Sequence, residues 1–178
     1  MRNFHQLLSG INVEPLRFQL MLNPQLWNAH RARKDAEGSP HSAMDDIWVR
    51  WKEGERGAQP FFPGWLEAWH ILPALRPLVF GLMQHVGATF LGGVLITRIP
   101  PGGEILPHDD KGTWHAENLN VKVYVPIQSN EHCVNCCEDE QVNMRAGEAW
   151  YFDNLKVHSV HNAGAVDRIT LIVCMRVE

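Results

Sequence analysis

The sequence predicts an α+β chain that is mainly β, with helical patterns first and short β-rich runs filling the second half. Two observations carry this. From Leu75 to Val86, the residues Leu75, Leu78, Val79, Leu82, Met83 and Val86 recur at the three-and-four spacing of one helical face. From Phe90 onward, β-branched and aromatic runs alternate with turn residues: Val94 to Ile99, Val121 to Ile127, Gln141 to Met144, Ala149 to Asp153 and Ile169 to Val177. Turn residues at Pro100 to Gly103, Asn130, Gly147 and Asn162 to Gly164 punctuate the runs. Helices followed by closely spaced strands make an α+β order whose β half is a sandwich or a jelly roll.

The earlier elements are less clear. Leu16, Phe18, Leu20 and Leu22 alternate as a strand would, while Leu16, Leu20 and Met21 suit a helix; the Asn23-Pro24 stop favours a short helix. Residues 29–46 are polar and broken by Gly38 and Pro40, which reads as a long loop of the kind that serves as a lid. It runs into the strand candidate Ile47 to Trp51. Lys52 to Gln59 reads as a turn or connection, and Phe61, Phe62, Trp65 and Trp69 as packing aromatics. Gly87 is the natural stop of the long helix, and Pro73 and Pro77 sit near its start, where a missing N–H costs least.

Composition narrows the function. At 178 residues the chain has the length of one domain with a buried core. Sixteen basic against 20 acidic residues give a formal charge of -4, which argues against nucleic acid and leaves small molecules or proteins as partners. Met1 to Ile11 lacks the pattern of a secretory signal, and no run approaches the roughly 20 apolar residues of a spanning helix. With four cysteines and no export signal, the expectation is a cytoplasmic protein with free thiols and no membrane association.

The chemistry concentrates in Pro107-His108-Asp109-Asp110, answered by Val157-His158-Ser159-Val160-His161-Asn162 and then Asp167-Arg168. Two histidines and one carboxylate can hold a ferrous ion and leave its opposite face open. His108 and Asp110 are two apart, so on an extended segment both point to one face. Asp109 then points away. Arg168, on the strand after the distal histidine, suits a far carboxylate of a dicarboxylate, because its planar fork pairs through two hydrogen bonds. His161 is a rival distal ligand. Cys133-Val134-Asn135-Cys136-Cys137 has the C-x-x-C spacing of a zinc knuckle, but no second pair accompanies it, so free thiols in a hairpin are the simpler reading.

These residues, with Arg98-Ile99-Pro100-Pro101-Gly102-Gly103, Lys122-Val123-Tyr124-Val125-Pro126-Ile127 and Gly147-Glu148, resemble the aspartyl/asparaginyl β-hydroxylase family over about Leu91 to Arg176. Gly147 to Asn162 also resembles bacterial proline cis-4-hydroxylases, and Asn23 to Asn28 with Asp46 to Arg50 more loosely resemble small bacterial and phage members. The resemblance implies a double-stranded β-helix core, jelly-roll and cupin-like, with the N-terminal helices packed outside. It implies a dioxygenase using Fe(II), 2-oxoglutarate and O2 to hydroxylate a carbon of an amino acid or of an amino-acid side chain in a peptide or protein. By position, His108, Asp110 and His158 would be the iron ligands, and Arg168 would clasp the distal carboxylate of 2-oxoglutarate, with Thr170 as hydroxyl partner. Members usually carry Arg-x-His where this chain has Lys122-Val123-Tyr124, so Lys122 and Tyr124 are either co-substrate contacts or ordinary strand surface. Trp114 and His115, between Asp110 and Lys122, are lid or substrate candidates or simply an exposed loop. In this reading residues 1–88 are a helical and loop frame with a lid, and 89–178 the metal-binding β core of a single domain. A cupin-like metal protein without oxygenase activity is the alternative, and Arg168 speaks against it. A silent interaction domain is the third.

Overall fold

A computed structural model describes residues 2–52 and 63–178. The turn expected at Lys52 to Gln59 falls, after Lys52, outside the described residues, as do Phe61 and Phe62. The strands are β1 (Phe4–Leu8), β2 (Asp45–Lys52), β3 (Pro63–Trp65), β4 (Phe90–Ile99), β5 (Glu104–His108), β6 (Val121–Gln128), β7 (Cys133–Cys137), β8 (Glu140–Val142), β9 (Ala149–Phe152), β10 (His158–Asn162) and β11 (Arg168–Arg176). The helices are α1 (Glu14–Leu22), α2 (Glu67–Ile71), α3 (Leu75–Val86) and α4 (Trp114–Asn118). None of them is long and apolar enough to cross a membrane.

Seven strands form one sheet in the order β1-β9-β6-β11-β4-β2-β3, and four form a second in the order β5-β10-β7-β8. The pairings are antiparallel. Strand alternation gives the large sheet two buried faces. On one, Val79, Leu82 and Leu16 join Ile96, Val125, Leu171 and Val173, so the helices α1 and α3 cover the outside. On the other, Leu95, Tyr124, Trp150, Phe152 and Ile172 pack with Cys137 and Met144 of the smaller sheet's hairpin region. That second layer is the interior of a jelly roll, as expected. Burial on both faces also explains why β4 and β11 read as near-continuous apolar runs.

The short helix α1 settles the ambiguity at Leu16 to Leu22. Leu16 and Leu20, four apart, are buried, whereas Phe18 and Leu22 are 60 % and 63 % exposed, so helical spacing decides the core face. Gly87 caps α3 in the left-handed region (φ 69°), its N–H reaching Gln84 and Met83 carbonyls.

Three expectations need correction. The front half holds more strand than the expected run at Ile47 to Trp51, because β1 and β3 join β2 in completing the large sheet. β1 buries Phe4 alone among its five residues and is held by distant β9, so no local pattern announces it. The link from Asp110 to Lys122 is not a loop: Thr113 caps α4 by accepting the Ala116 N–H, which puts Trp114 and His115 in its first turn. Third, β7 and β10 escape the strand list, although the cysteine hairpin is present as β7–β8.

Gly147 shows how tightly the N-terminal segment is seated. Its φ is +79°, its carbonyl accepts the Ile11 N–H at 2.9 Å, and a Cβ there would meet the Ile11 carbonyl oxygen at 2.7 Å. Gly147→Ala is expected to cost about 2 kcal/mol or more in denaturant unfolding, from strain and backbone displacement together. A loss under about 0.5 kcal/mol would contradict that seating.

Candidate metal centre and co-substrate pocket

β5 ends on His108 and β10 begins on His158, and the two are direct partners across the ladder. Their rings lie 4.3 Å apart, and one ligand atom from each of His108, Asp110 and His158 falls within 4.8 Å of the others. Each ring is tethered by the same device. His108 Nδ1 lies 2.7 Å from the Leu106 carbonyl oxygen and His158 Nδ1 lies 2.9 Å from that of Lys156. A carbonyl can only accept, so Nδ1 carries the proton and Nε2 keeps its lone pair for a metal.

Asp110 does not share a strand with His108; it lies past the end of β5. Its position comes from the turn, where its N–H donates to the Asn154 carbonyl at 3.0 Å and its own carbonyl accepts the Thr113 hydroxyl at 2.7 Å. Asp110 Oδ1 lies 3.9 Å from His108 Nε2. Oδ2 accepts from Lys122 Nζ at 2.7 Å and Asn154 Nδ2 at 2.6 Å. Burial would raise this carboxyl's pKa, but the Lys122 charge and the two hydrogen bonds outweigh it and hold the group well below the usual carboxylate range. Asp109 turns the other way, accepting from the Lys111 N–H and ammonium. His161 is exposed, paired with Glu104 and Val134, and does not join the cluster.

The interior holds a second polar patch. Arg168 opens β11, is 2 % exposed, and donates one Nη2 hydrogen bond to Asn135 Oδ1 at 2.8 Å. Among the described residues its Nε is buried without a partner, as are the hydroxyls of Thr170 and Thr97. Thr170 and Thr97 face each other across β11 and β4, and Arg168 stands two residues from Thr170 on the same face. Each unpaired buried donor costs on the order of 1–3 kcal/mol. Three such groups on one patch have the chemistry to pair with a carboxylate. Tyr124, 8 % exposed, stacks on Phe152 at 4.6 Å, and Phe152 meets the His158 ring edge-on at 5.1 Å. Lys122 is engaged by Asp110 instead of facing the arginine patch.

The stretch expected as a long loop, residues 29–46, has no helix or strand of its own until β2 begins at Asp45. Arg33 pairs with Asp46 through two bonds at 3.0 and 2.6 Å, Lys34 pairs with Asp45, and the Pro40 carbonyl accepts the Leu106 N–H. His41 meets the His108 ring at 4.8 Å, nearly perpendicular. Sequence reasoning missed Thr97, Asn135, Asn154 and His41, since each acts through a partner distant in sequence. For Thr97 alone a signal exists: a hydroxyl among the apolar residues of a doubly buried strand. Asn162 turns out to be a clasp, its amide donating to the Ile99, Pro100 and Val166 carbonyls and tying β10 to the Pro-Pro-Gly-Gly turn. A groove of about 500 Å³ between α3 and the β1 end, lined by Leu8, Leu78 and His85 among others, contains none of the site residues. Among the described residues the cysteines form no metal cluster, and all four are free.

Burial pushes the His158 imidazole down from 6.5 to about 4, with the Lys156 carbonyl opposing, and pushes His41 down to about 2. Both therefore bind fewer protons folded than unfolded. Metal-free protein should hold the associated stability above pH 6.5 and lose it as pH falls toward 4, on the order of 3 kcal/mol for His158. Urea unfolding at pH 7.5 and 4.5 checks this; equal stabilities would contradict it.

A jelly roll that brings two histidines and an aspartate close enough to share one ion, with an under-bonded arginine within, has the groups that the Fe(II)/2-oxoglutarate class of oxygenase calls for. Residues 64–177 match the family described as aspartyl/asparaginyl beta-hydroxylase. The chain belongs to that family and is a 2-oxoglutarate-dependent dioxygenase that uses Fe(II), 2-oxoglutarate and O2. The fold recurs in three solved structures. A Trichoplax adhaerens prolyl hydroxylase in complex with a hypoxia inducible factor peptide fragment matches with TM-score 0.66 and 12 % identity, covering 98 % of this chain and 83 % of that one. A viral collagen prolyl hydroxylase from Paramecium Bursaria Chlorella virus-1 gives 0.57 and 8 %, with 99 % and 97 % covered. A Pseudomonas putida prolyl-4-hydroxylase gives 0.53 and 15 %, with 99 % and 93 % covered.

Proposed function

We propose that this chain hydroxylates a carbon of an amino acid, either free or as a side chain within a peptide or protein, with His108, Asp110 and His158 holding iron and Arg168 with Thr170 and Thr97 holding the distal carboxylate of 2-oxoglutarate. The observation that carries the reading is the placement of a tethered His-Asp-His cluster and a carboxylate-shaped set of unpaired donors inside one jelly roll. When bound, the iron and co-substrate supply oxidative decarboxylation to succinate and carbon dioxide coupled to hydroxylation of substrate carbon.

The chain's own residues do the rest. The Nδ1 tethers aim both imidazoles, so little ring freedom remains to be lost when a metal arrives. Arg168 offers Nε and the Thr hydroxyls add donors, so a carboxylate entering there satisfies groups that are otherwise costly. Phe152, Tyr124 and Ile172 make the wall apolar and keep water from the reacting carbon. Residues 29–44 close one side of the opening through His41. Tyr124 is a further co-substrate contact, through its hydroxyl. The peptide bound by the Trichoplax prolyl hydroxylase supports a peptide-borne residue as one substrate class, and the family description supports Asp or Asn.

A succinate-release screen over free amino acids and short Asp-, Asn- and Pro-containing peptides tests this, with Arg168→Ala as control. Succinate above the control with one substrate class is expected. Iron binding with no succinate from any member would sink the hydroxylase reading in favour of a metal protein without oxygenase activity.

A further inference from the structure

We propose that Lys122 and Asn154 are positioning residues that hold Asp110 Oδ2 and so restrict this carboxylate to donating a single oxygen, Oδ1, to the metal. The inference rests on the reading of Asp110 as an iron ligand and concerns how that ligand is presented. A free carboxylate can bind a metal through one oxygen or both. Here the two oxygens are unequal. Oδ1 faces His108 Nε2 at 3.9 Å, whereas Oδ2 takes a charged donor at 2.7 Å and an amide donor at 2.6 Å. Two short bonds take up the lone-pair directions of Oδ2, and turning the carboxylate to present both oxygens would break them. With burial limiting water to 14 % of the Asp110 side chain and 18 % of the Lys122 side chain, solvent is poorly placed to replace either bond.

The clamp is built into the fold. Lys122 stands opposite Cys174 on β6 and β11, next to Tyr124 across from Ile172, so the sheet fixes where its ammonium emerges. Asn154 is anchored at the other end, since its carbonyl accepts the Asp110 N–H. Backbone and side chain of Asn154 therefore grip the same residue, just four positions before His158. A single ammonium can serve one oxygen of a ligand already shared with a metal, whereas a guanidinium would pair with both. A ligand limited to one oxygen leaves one more metal position for a chelating co-substrate.

Co(II) in place of iron reads this without turnover. Near-isosteric Lys122→Met and Asn154→Leu variants are compared with wild type for the visible Co(II) absorption spectrum and for 2-oxoglutarate affinity of the Co(II)-loaded protein. Each variant is expected to bind Co(II), to show an altered ligand-field spectrum, and to bind 2-oxoglutarate at least 10-fold more weakly. Asn154 lies in a half-exposed loop, so its variant folds even if loss of Lys122 disturbs the sheet. Wild-type spectra and wild-type 2-oxoglutarate affinity in Asn154→Leu would overturn the proposal. An unchanged Co(II) spectrum in Asp110→Ala would instead remove Asp110 from the ligand set and with it the reading beneath.

Discussion

Replacing His158 with alanine is expected to abolish the weak visible charge-transfer band that forms when Fe(II) and 2-oxoglutarate are added anaerobically to the wild-type protein. In the proposed site His158 contributes one of three donors. It is 6 % exposed and its Nε2 is freed for coordination by the Lys156 tether, and among the described residues the cluster able to hold an ion is His108, Asp110 and His158. Losing one ligand of three should weaken iron binding by well over the 10–100-fold seen when only a supporting contact is lost. Asp110→Ala should do the same, because its carboxylate supplies the negative charge. Asp109→Ala should leave the band intact, since Asp109 is spent on Lys111. A band retained in His158→Ala, or lost in Asp109→Ala with Asp110→Ala unaffected, would overturn the assignment.

Arg168→Ala is expected to raise the Kd for 2-oxoglutarate at least 100-fold while leaving Fe(II) binding near wild type. The guanidinium is buried, has one neutral partner in Asn135, and faces no carboxylate among the described residues. Burial accordingly lowers its pKa. Such a group is poorly paired until an anion arrives, so the variant should lose the thermal stabilisation that 2-oxoglutarate with metal confers, yet unfold no earlier than metal-free wild type. Arg168→Lys should not restore binding, because an ammonium cannot offer two parallel N–H groups. Normal 2-oxoglutarate affinity in Arg168→Ala would place the co-substrate elsewhere.

The parts of the site that are close in sequence, or that sit at a fixed offset along one strand, are legible without coordinates. His108, Asp110, His158 and Arg168 follow from spacing plus family resemblance, and the long helix and central strands follow from periodicity. What escapes is what pairs at long range. β1 lies 141 residues from the start of β9, its partner, and shows one buried residue. Asn154, 44 residues from Asp110, looks like an ordinary turn asparagine. Lys122 could be read as a co-substrate contact because strand alternation says which face it occupies but not which neighbour claims its ammonium. The placement of Asp110 on His108's strand fails for a related reason: the chain leaves the ladder at His108, and hydrogen bonds to Asn154 and Thr113, not pleat geometry, aim the carboxylate.

The two histidines are opposite numbers on neighbouring strands, each ring fastened to its own main chain two residues earlier. The gap between the two donors is thus an inherited dimension of the β-ladder, dictated by the alignment of β5 with β10. Slippage of that alignment by one residue would turn one imidazole to the opposite face and leave the other in place. The Pro100 to Gly103 turn and its Asn162 clasp, which pin that alignment, are therefore the gauge for a proposed coordination sphere they never touch.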